Sequence, residues 1–121
     1  MTGAAVPNIA KVLARVVVDD LDKAIPLYQA LSGAEEVQKF GHGTVELASV
    51  GPFLLLRAEG AEGYTDRTAT ILVFDVAPVV RDIELAGGEI IEGPSPGPNG
   101  ERLVARHPDG SVFEYIAVPN A

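Results

Sequence analysis

A repeat with an offset of 55 residues constrains the fold of this chain more than any other feature. Residues 12–20 and 67–75 are both apolar runs rich in β-branched side chains, and they end at Asp20 and Asp75 in equivalent places. Runs of this kind are typical of strands. Apolar residues at helical spacing follow each run, which predicts a helix after each strand. Asp22 is the expected N-terminal cap of the first helix, and Pro78 suits the start of the second.

Glycines end both predicted helices, and short alternating segments follow them. Gly33 and the pair Gly87-Gly88 follow the predicted helices at the position where a left-handed backbone conformation commonly ends a helix. Three further strands are then expected in each half, with turns at residues 41–43, 51–52 and 108–110 and a stiff, proline-rich loop at 93–100. The order β-α-β-β-β therefore occurs twice, in residues 9–58 and 67–118, with residues 59–66 as a linker.

The predicted class is α+β, a single domain of two tandem βαβββ modules. Their sheets are expected to pair into one curved mixed sheet, a half-barrel with the helices on its outer face. An unrelated ferredoxin-like α+β sandwich is the rival architecture.

Two segments carry a resemblance to a known superfamily. The Asp-Leu-Asp-x-Ala-x-x-x-Tyr helix with its Leu-Ser-Gly ending at residues 20–33, and the closing pattern of Gly87-Gly88, Gly100 and residues 107–115, resemble the vicinal oxygen chelate superfamily. This superfamily groups glyoxalases, bleomycin-resistance proteins and extradiol dioxygenases. The likeness spans residues 9–118. His107 and Ser111 depart from the usual aspartate and asparagine of the last turn.

Composition narrows the function. The chain has no cysteine, which excludes disulfides, thiolate metal sites and thiol nucleophiles. Its formal net charge of −8 disfavours nucleic-acid and anionic-membrane partners. No leader peptide or membrane-length apolar run is visible, so a cytoplasmic protein is expected. Nucleotide-binding and common hydrolase motifs are absent from the sequence.

Strand parity divides each strand into two faces. One face should lie under the helices, and the other should line a concave ligand site. The hairpin at residues 108–110, if it is tight, would place Val104 opposite Glu114 and Arg106 opposite Val112. The expected ligand-binding residues are Leu13, Arg15, Phe53, Leu55, Thr68, Thr70, Arg102, Val104, Arg106, Val112 and Glu114.

The resemblance implies a divalent-metal site that this chain does not supply. Its four ligand positions correspond to Leu13, Leu55, Thr68 and Glu114, and only Glu114 has a strong donor. The neighbouring residues add no carboxylate or imidazole. His42 and His107 lie in predicted turns, where solvated side chains are the simpler interpretation. The expectation is therefore no metal ligand set and no cofactor.

Glu114 has two interpretations from the sequence. It is either a half-solvated rim carboxylate paired with Arg106 or Arg15, or a desolvated group that acts as a general base or binds a cationic ligand. Arginines 15, 57, 102 and 106 are likewise either a solvated strand face or a site for a carboxylate, phosphate or phenolate.

Four functions remain open. The first is a metal-free small-molecule binding protein of the bleomycin-resistance type, with antibiotic resistance as its implied role and a ligand groove between two protomers. The second is a metal-free lyase, isomerase or cyclase with Glu114 as base. A metal-dependent glyoxalase or dioxygenase-like enzyme and a pure interaction module are the others. The resemblance also implies a homodimer.

Overall fold

The structure is a computed structural model that describes residues 7–97 and 100–118. Its strands form one mixed sheet in the order β2-β3-β4-β1-β5-β8-β7-β6. The elements are β1 Ile9–Val18, α1 Leu21–Ser32, β2 Val37–His42, β3 Val45–Val50, β4 Phe53–Arg57, β5 Ala69–Val73, α2 Val76–Leu85, β6 Glu89–Gly97, β7 Gly100–Arg106 and β8 Val112–Ala117. This order confirms the α+β class and the tandem βαβββ arrangement. Neither of the helices within the described ranges is long and apolar enough to cross a membrane.

Contacts divide the chain into two compact units. One is the 13–70 unit, and the other is here called the C-terminal unit, made of the described residues before 13 and after 70. In the 13–70 unit, β4 pairs with β1 in parallel and with β3 antiparallel, and β2 pairs with the other edge of β3. Helix α1 packs on this sheet through Leu21 and Ile25, against Ala48, Val50 and Leu55.

Asp20, rather than the expected Asp22, caps helix α1. Asp20 has an extended backbone, with φ at −140°, and its side chain accepts a hydrogen bond from the Lys23 amide at 3.2 Å. Asp22 lies one residue inside the helix and pairs with Lys39 instead. The sequence prediction was displaced by two residues because either aspartate can begin a helix, and the strand end decides which one is extended. Gly33 ends the helix in the left-handed region at φ 72°, as expected.

The C-terminal unit repeats this design. Asp75 caps α2 by accepting from the Ala77 amide at 3.0 Å, and Asn8 bonds both the amide and the carbonyl of Asp75. Helix α2 contributes Val76, Val79 and Ile83 to a core completed by Ile71, Val73, Leu103, Ala105 and Tyr115. The equivalent places of Asp20 and Asp75 in the repeat are therefore equivalent caps.

Strand β6 replaces most of the loop expected at residues 93–100. Ser95, Pro96 and Gly97 pair with Arg102, Glu101 and Gly100 of β7. The prolines predicted a loop because they cannot donate a ladder hydrogen bond. The sheet ends at β6, and an edge strand tolerates proline where its N–H side faces away from the ladder. Residues 98 and 99 of the expected loop lie outside the described residues.

Candidate functional site

The β7–β8 hairpin has the register expected from a tight turn. Val104 lies opposite Glu114, Arg106 opposite Val112 and Arg102 opposite Ile116. Leu103, Ala105, Phe113 and Tyr115 alternate with these residues and pack in the core beneath α2. The first set therefore occupies the opposite side of the strands, here called the helix-free face: Arg102, Val104, Arg106, Val112, Glu114 and Ile116.

An ion pair between Arg102 and Glu114 dominates this face. Arg102 Nη2 donates to Glu114 Oε2 at 2.8 Å, and Arg102 Nε donates to the same oxygen at 3.2 Å. The two side chains are only 11% and 13% exposed, and the neighbouring Val104 is 1% exposed. With so little water nearby, the charges act on each other and on any bound group far more strongly than at a surface.

Two observations differ from the interpretation of Glu114 as a half-solvated rim residue paired with Arg106. Its exposure is low, and Arg106 pairs elsewhere, through Nη1 with Glu89 Oε1 at 2.5 Å. That second pair is exposed, so Arg106 lies at the solvated end of the helix-free face, and Val112 beside it is half-buried.

Glu92 is a residue of this face that the sequence did not predict. It lies opposite Val104, on the far side from Glu114, so Glu92, Val104 and Glu114 form one row across β6, β7 and β8. A register shift between Ile90 and Glu92 produces this placement. Strict alternation from the core residue Ile90 would put Glu92 on the α2 side, and no feature of the sequence marks the shift.

Arg15 is the best-anchored of the predicted residues in the 13–70 unit. Its Nη1 donates to Thr70 Oγ1 and its Nη2 donates to the Tyr64 carbonyl, both at 2.7 Å. Thr70 and Leu13 are buried, whereas Thr68 is exposed. Arg15 and Thr70 are therefore hydrogen-bonded neighbours, whereas Thr68 is exposed to solvent.

Phe53 and Leu55 do not lie where parity was expected to place them. Both pack in the α1 core, and the Phe53 ring contacts Tyr28 edge-on at 4.8 Å between centroids. Leu54 pairs beside Arg15 and Leu56 beside Val17, so these two leucines share the face of Arg15. The assignment was wrong by one residue because three successive leucines have no alternating pattern.

The donor set does not fit a divalent metal. The correction in β4 substitutes Leu54 for Leu55 at a mapped ligand position, and neither offers a lone pair. Within residues 7–97 and 100–118, no group of three or more histidine, aspartate or glutamate side chains could hold a metal ion. The side chains in these ranges therefore supply no ligand set through which a metal could take part in a reaction.

His107 is an aromatic-cluster residue rather than the solvated turn residue that was expected. Its Nε2 lies 2.7 Å from the Tyr115 hydroxyl, and its ring lies 4.4 Å from that of Phe113. Burial raises the pKa of the Tyr115 hydroxyl above its usual value of 10.0. This cluster is on the α2 side of the sheet and contributes to packing rather than to the helix-free face.

Known proteins resemble this chain in structure more than in sequence. Neither a protein-family model nor a curated protein matches it. An uncharacterised protein from Methanosarcina mazei is 33% identical, with 95% of this chain and 97% of that one covered and a TM-score of 0.86.

Methylmalonyl-CoA epimerases share the fold at lower identity. The Mycobacterium tuberculosis enzyme is 17% identical, with 98% and 94% covered and a TM-score of 0.68. A Streptomyces coelicolor variant in complex with 2-nitronate-propionyl-CoA is 17% identical, with 96% and 100% covered and a TM-score of 0.66. At this identity the likeness establishes the fold and leaves the reaction open.

Proposed function

This chain belongs to the same family as the uncharacterised Methanosarcina mazei protein and has the vicinal oxygen chelate fold, and on that premise we propose that it is an enzyme that removes a proton from a carbon next to a carbonyl group. The observation that carries the proposal is the Arg102–Glu114 ion pair on the helix-free face. The epimerase likeness supports an enzyme over the drug-binding protein of the bleomycin-resistance type.

The ion pair is costly for the fold, which favours a functional reason for it. Removing two charges from water costs several kcal/mol, and well-packed apolar residues usually stabilise a protein as well or better. The α2 core is complete without the pair, because it is built from the alternate residues of the same strands. A buried carboxylate beside a guanidinium is, in contrast, an arrangement that acid–base catalysis uses.

The chemistry assigns a role to each partner. Glu114 accepts the proton as the carbon–hydrogen bond breaks, and the electron pair of that bond moves onto the carbonyl oxygen to form an enolate. Arg102 donates two hydrogen bonds to Glu114 Oε2 and so fixes the direction of that oxygen. Once Glu114 is protonated, the charge of Arg102 is available to stabilise the enolate oxygen.

The proposed substrates are acyl thioesters with an acidic proton next to the carbonyl. The epimerase structures hold acyl-CoA ligands, namely methylmalonyl-CoA and 2-nitronate-propionyl-CoA. From the sequence, we further propose that the protein is a cytoplasmic homodimer. It is proposed to bind no metal and to have no nucleic-acid or membrane partner.

Deuterium entry at the carbon next to the carbonyl tests the function. The purified protein is incubated in D₂O with a panel of acyl thioesters that includes methylmalonyl-CoA, and the mass of the whole thioester pool is followed. Wild type should accelerate exchange over buffer, and Glu114→Gln should slow it by about 10² to 10⁴, the usual contribution of a general base. Glu46→Gln is the matched control, because Glu46 pairs with Arg57 at 2.7 Å on the 13–70 unit and is largely exposed.

Two outcomes would count against this function. Wild type that exchanges none of the panel, while binding one of its members, would restore the binding-protein hypothesis. Equal exchange by wild type and Glu114→Gln would remove Glu114 as the base.

A further inference from the structure

Helix α1 has an apolar side that is exposed, opposite the side that packs on its sheet. Leu27 and Leu31 on this side are 57% and 65% exposed. Pro26 and Ala30 are exposed as well, one position before each leucine. Residues three and four apart on a helix are neighbours, so the four side chains form one surface, here called the outer face of α1: Pro26, Leu27, Ala30 and Leu31. A contiguous apolar surface is typical of a contact site, whereas single exposed leucines are ordinary.

The second helix of the repeat has a charged outer side instead. With the offset of 55 residues, Pro26 corresponds to Arg81 and Leu27 to Asp82. Arg81 and Asp82 are both exposed and bond each other, with Arg81 Nε donating to Asp82 Oδ1 at 3.3 Å. Leu85 is exposed too, but it lies one helical turn from these charged groups. Since α2 packs on its own sheet with this charged side in solvent, the fold does not require an apolar outer face on α1.

Opposite charges lie at the two ends of the outer face of α1. Lys23 is exposed four residues before Leu27, and Glu35 is exposed four residues after Leu31. Although Glu35 follows the end of the helix, Gln29 Nε2 donates to its carbonyl at 3.5 Å, which keeps it beside the last turn. The order along the helix is therefore positive, apolar, apolar, negative.

We infer that a second copy of this chain covers the outer face of α1, in an antiparallel contact between two α1 helices on a two-fold axis. Leu27 of one copy then meets Leu31 of the other, and Lys23 meets Glu35, with each contact made twice. Ala30 lies close to the axis, where its small side chain lets the helices approach. This contact gives the proposed homodimer a location, and it does not depend on the proposed reaction.

The pairing is expected to be weak and reversible. One helix from each copy provides less area than a standard interface of about 1,600 Å². The net charge of −8 on each copy also opposes association. Asp20 and Asp22 at the start of the helix bind the Lys23 amide and Lys39, which leaves the Lys23 ammonium to attract Glu35 of the other copy. The charges therefore set the orientation of the pair, and the leucines supply most of its affinity.

Analytical ultracentrifugation of the purified protein tests the contact. Wild type should dimerise reversibly between about 10 and 200 µM. Leu27→Asp should raise the Kd for dimerisation at least tenfold, because it buries a carboxylate in an apolar contact. Ala30→Arg should do the same, because its long side chain separates the helices. Both side chains are exposed, so the melting temperature of the dilute protein should stay within a few degrees of wild type.

Leu85→Asp is the matched control for these variants. Leu85 is an exposed leucine on the outer side of α2, and it is more exposed than Leu27. Its replacement should leave the Kd for dimerisation unchanged.

Charge reversal tests the orientation of the two helices. Lys23→Glu places like charges at both ends of the pair and should weaken it about tenfold. The double variant Lys23→Glu/Glu35→Lys should dimerise like wild type, because the order of charges is reversed as a whole. Mixed with ¹⁵N-labelled wild type and followed by native mass spectrometry, it should form few mixed dimers. Each mixed pair would bring lysine to lysine at one end and glutamate to glutamate at the other.

Each other result has a definite meaning. A wild-type protein that stays monomeric across this range would overturn both the contact and the proposed homodimer, and would leave a different protein as the occupant of the outer face. A dimer that Leu27→Asp and Ala30→Arg leave intact, or statistical mixing of the charge-reversed variant with wild type, would overturn the α1 contact alone. The deuterium-exchange assay measures the proposed reaction separately from all of these results.

Discussion

The two units build the same three-strand row and equip it with different chemistry. In the 13–70 unit the row runs across β2, β3 and β4, and in the C-terminal unit it runs across β6, β7 and β8. The residues are Gln38, Ser49 and Leu54 in the first row and Glu92, Val104 and Glu114 in the second. One row has no charge, and the other has two carboxylates with Arg102 beside them. The same strand framework therefore accepts different residues at these positions, and only the C-terminal row has carboxylates.

The helix-facing sides of the same strands differ much less between the two units. Phe53 and Leu55 pack under α1, and Phe113 and Tyr115 pack under α2. An aromatic residue followed two positions later by a large side chain meets the needs of both cores. Helix packing conserves the size and polarity of these side chains across the repeat, because a volume change in a close-packed core is costly.

Truncation of Leu54 should produce the largest effect on stability. Leu54 is 4% exposed, and Leu54→Ala leaves a cavity that should lower the free energy of unfolding by about 3 to 4 kcal/mol. The equivalent Glu114→Gln should lower it by less, about 1 to 2 kcal/mol, because the amide oxygen can still accept a hydrogen bond from Arg102 although the guanidinium loses its counter-charge. Urea unfolding followed by circular dichroism measures both. A larger loss from Glu114→Gln than from Leu54→Ala would contradict this expected difference between the uncharged row and the charged row.

Removal of Arg102 alone should have the next largest effect. Arg102→Leu removes the Arg102 guanidinium from a carboxylate at low exposure, which should cost about 2 to 3 kcal/mol. The double variant Arg102→Leu/Glu114→Leu should regain part of that loss, because both charges of this ion pair are removed together. The coupling energy from this cycle of unfolding experiments separates the ion pair from packing. If the changes in the free energy of unfolding from the two single variants added up to that of the double variant, the ion pair would make no net contribution to stability.

The smallest expected effect is on protein stability at alkaline pH, through a tyrosine of the α2 core. Leu55 has no titratable group, whereas burial raises the pKa of its counterpart Tyr115 above 10.0. Since the folded pKa lies above the unfolded one, the stabilising contribution is complete below about pH 10 and is lost as the pH rises through the folded value. Urea midpoints between pH 9 and 11.5 should therefore fall less steeply for Tyr115→Phe than for wild type. Identical slopes would show that ionisation of this hydroxyl does not limit stability.

Much of the architecture was predictable because short-range patterns specify it. The offset of 55 residues predicted two βαβββ segments, and the capping residues Asp20 and Asp75 hold equivalent positions in them. The β7–β8 register also followed from the sequence, because a tight turn at residues 108–110 fixes which residues of two adjoining strands are opposite. Arg102, Val104 and Glu114 were therefore placed on one face correctly.

The errors occurred where several arrangements satisfy the same local pattern. The run Leu54-Leu55-Leu56 is compatible with either face, and only the contacts of Leu55 with the α1 core decide between them. Pro94 and Pro96 predicted a loop, since the sequence does not reveal that this segment lies at the sheet edge.

In the candidate site, too, some features were predicted from the sequence and others depended on the tertiary structure. The sequence, with the superfamily resemblance, identified Glu114 as the one strong donor among the mapped positions and predicted, for a tight turn at residues 108–110, that it shares a face with Arg102 and Val104; the structure has that register. The tertiary structure decided that Arg102 is an ion-pair partner of Glu114, and that a bulge brings Glu92 into the same row. The physical reason is that turns and alternation act over a few residues, whereas ion pairing and bulge placement depend on the packing of strands that are distant in sequence.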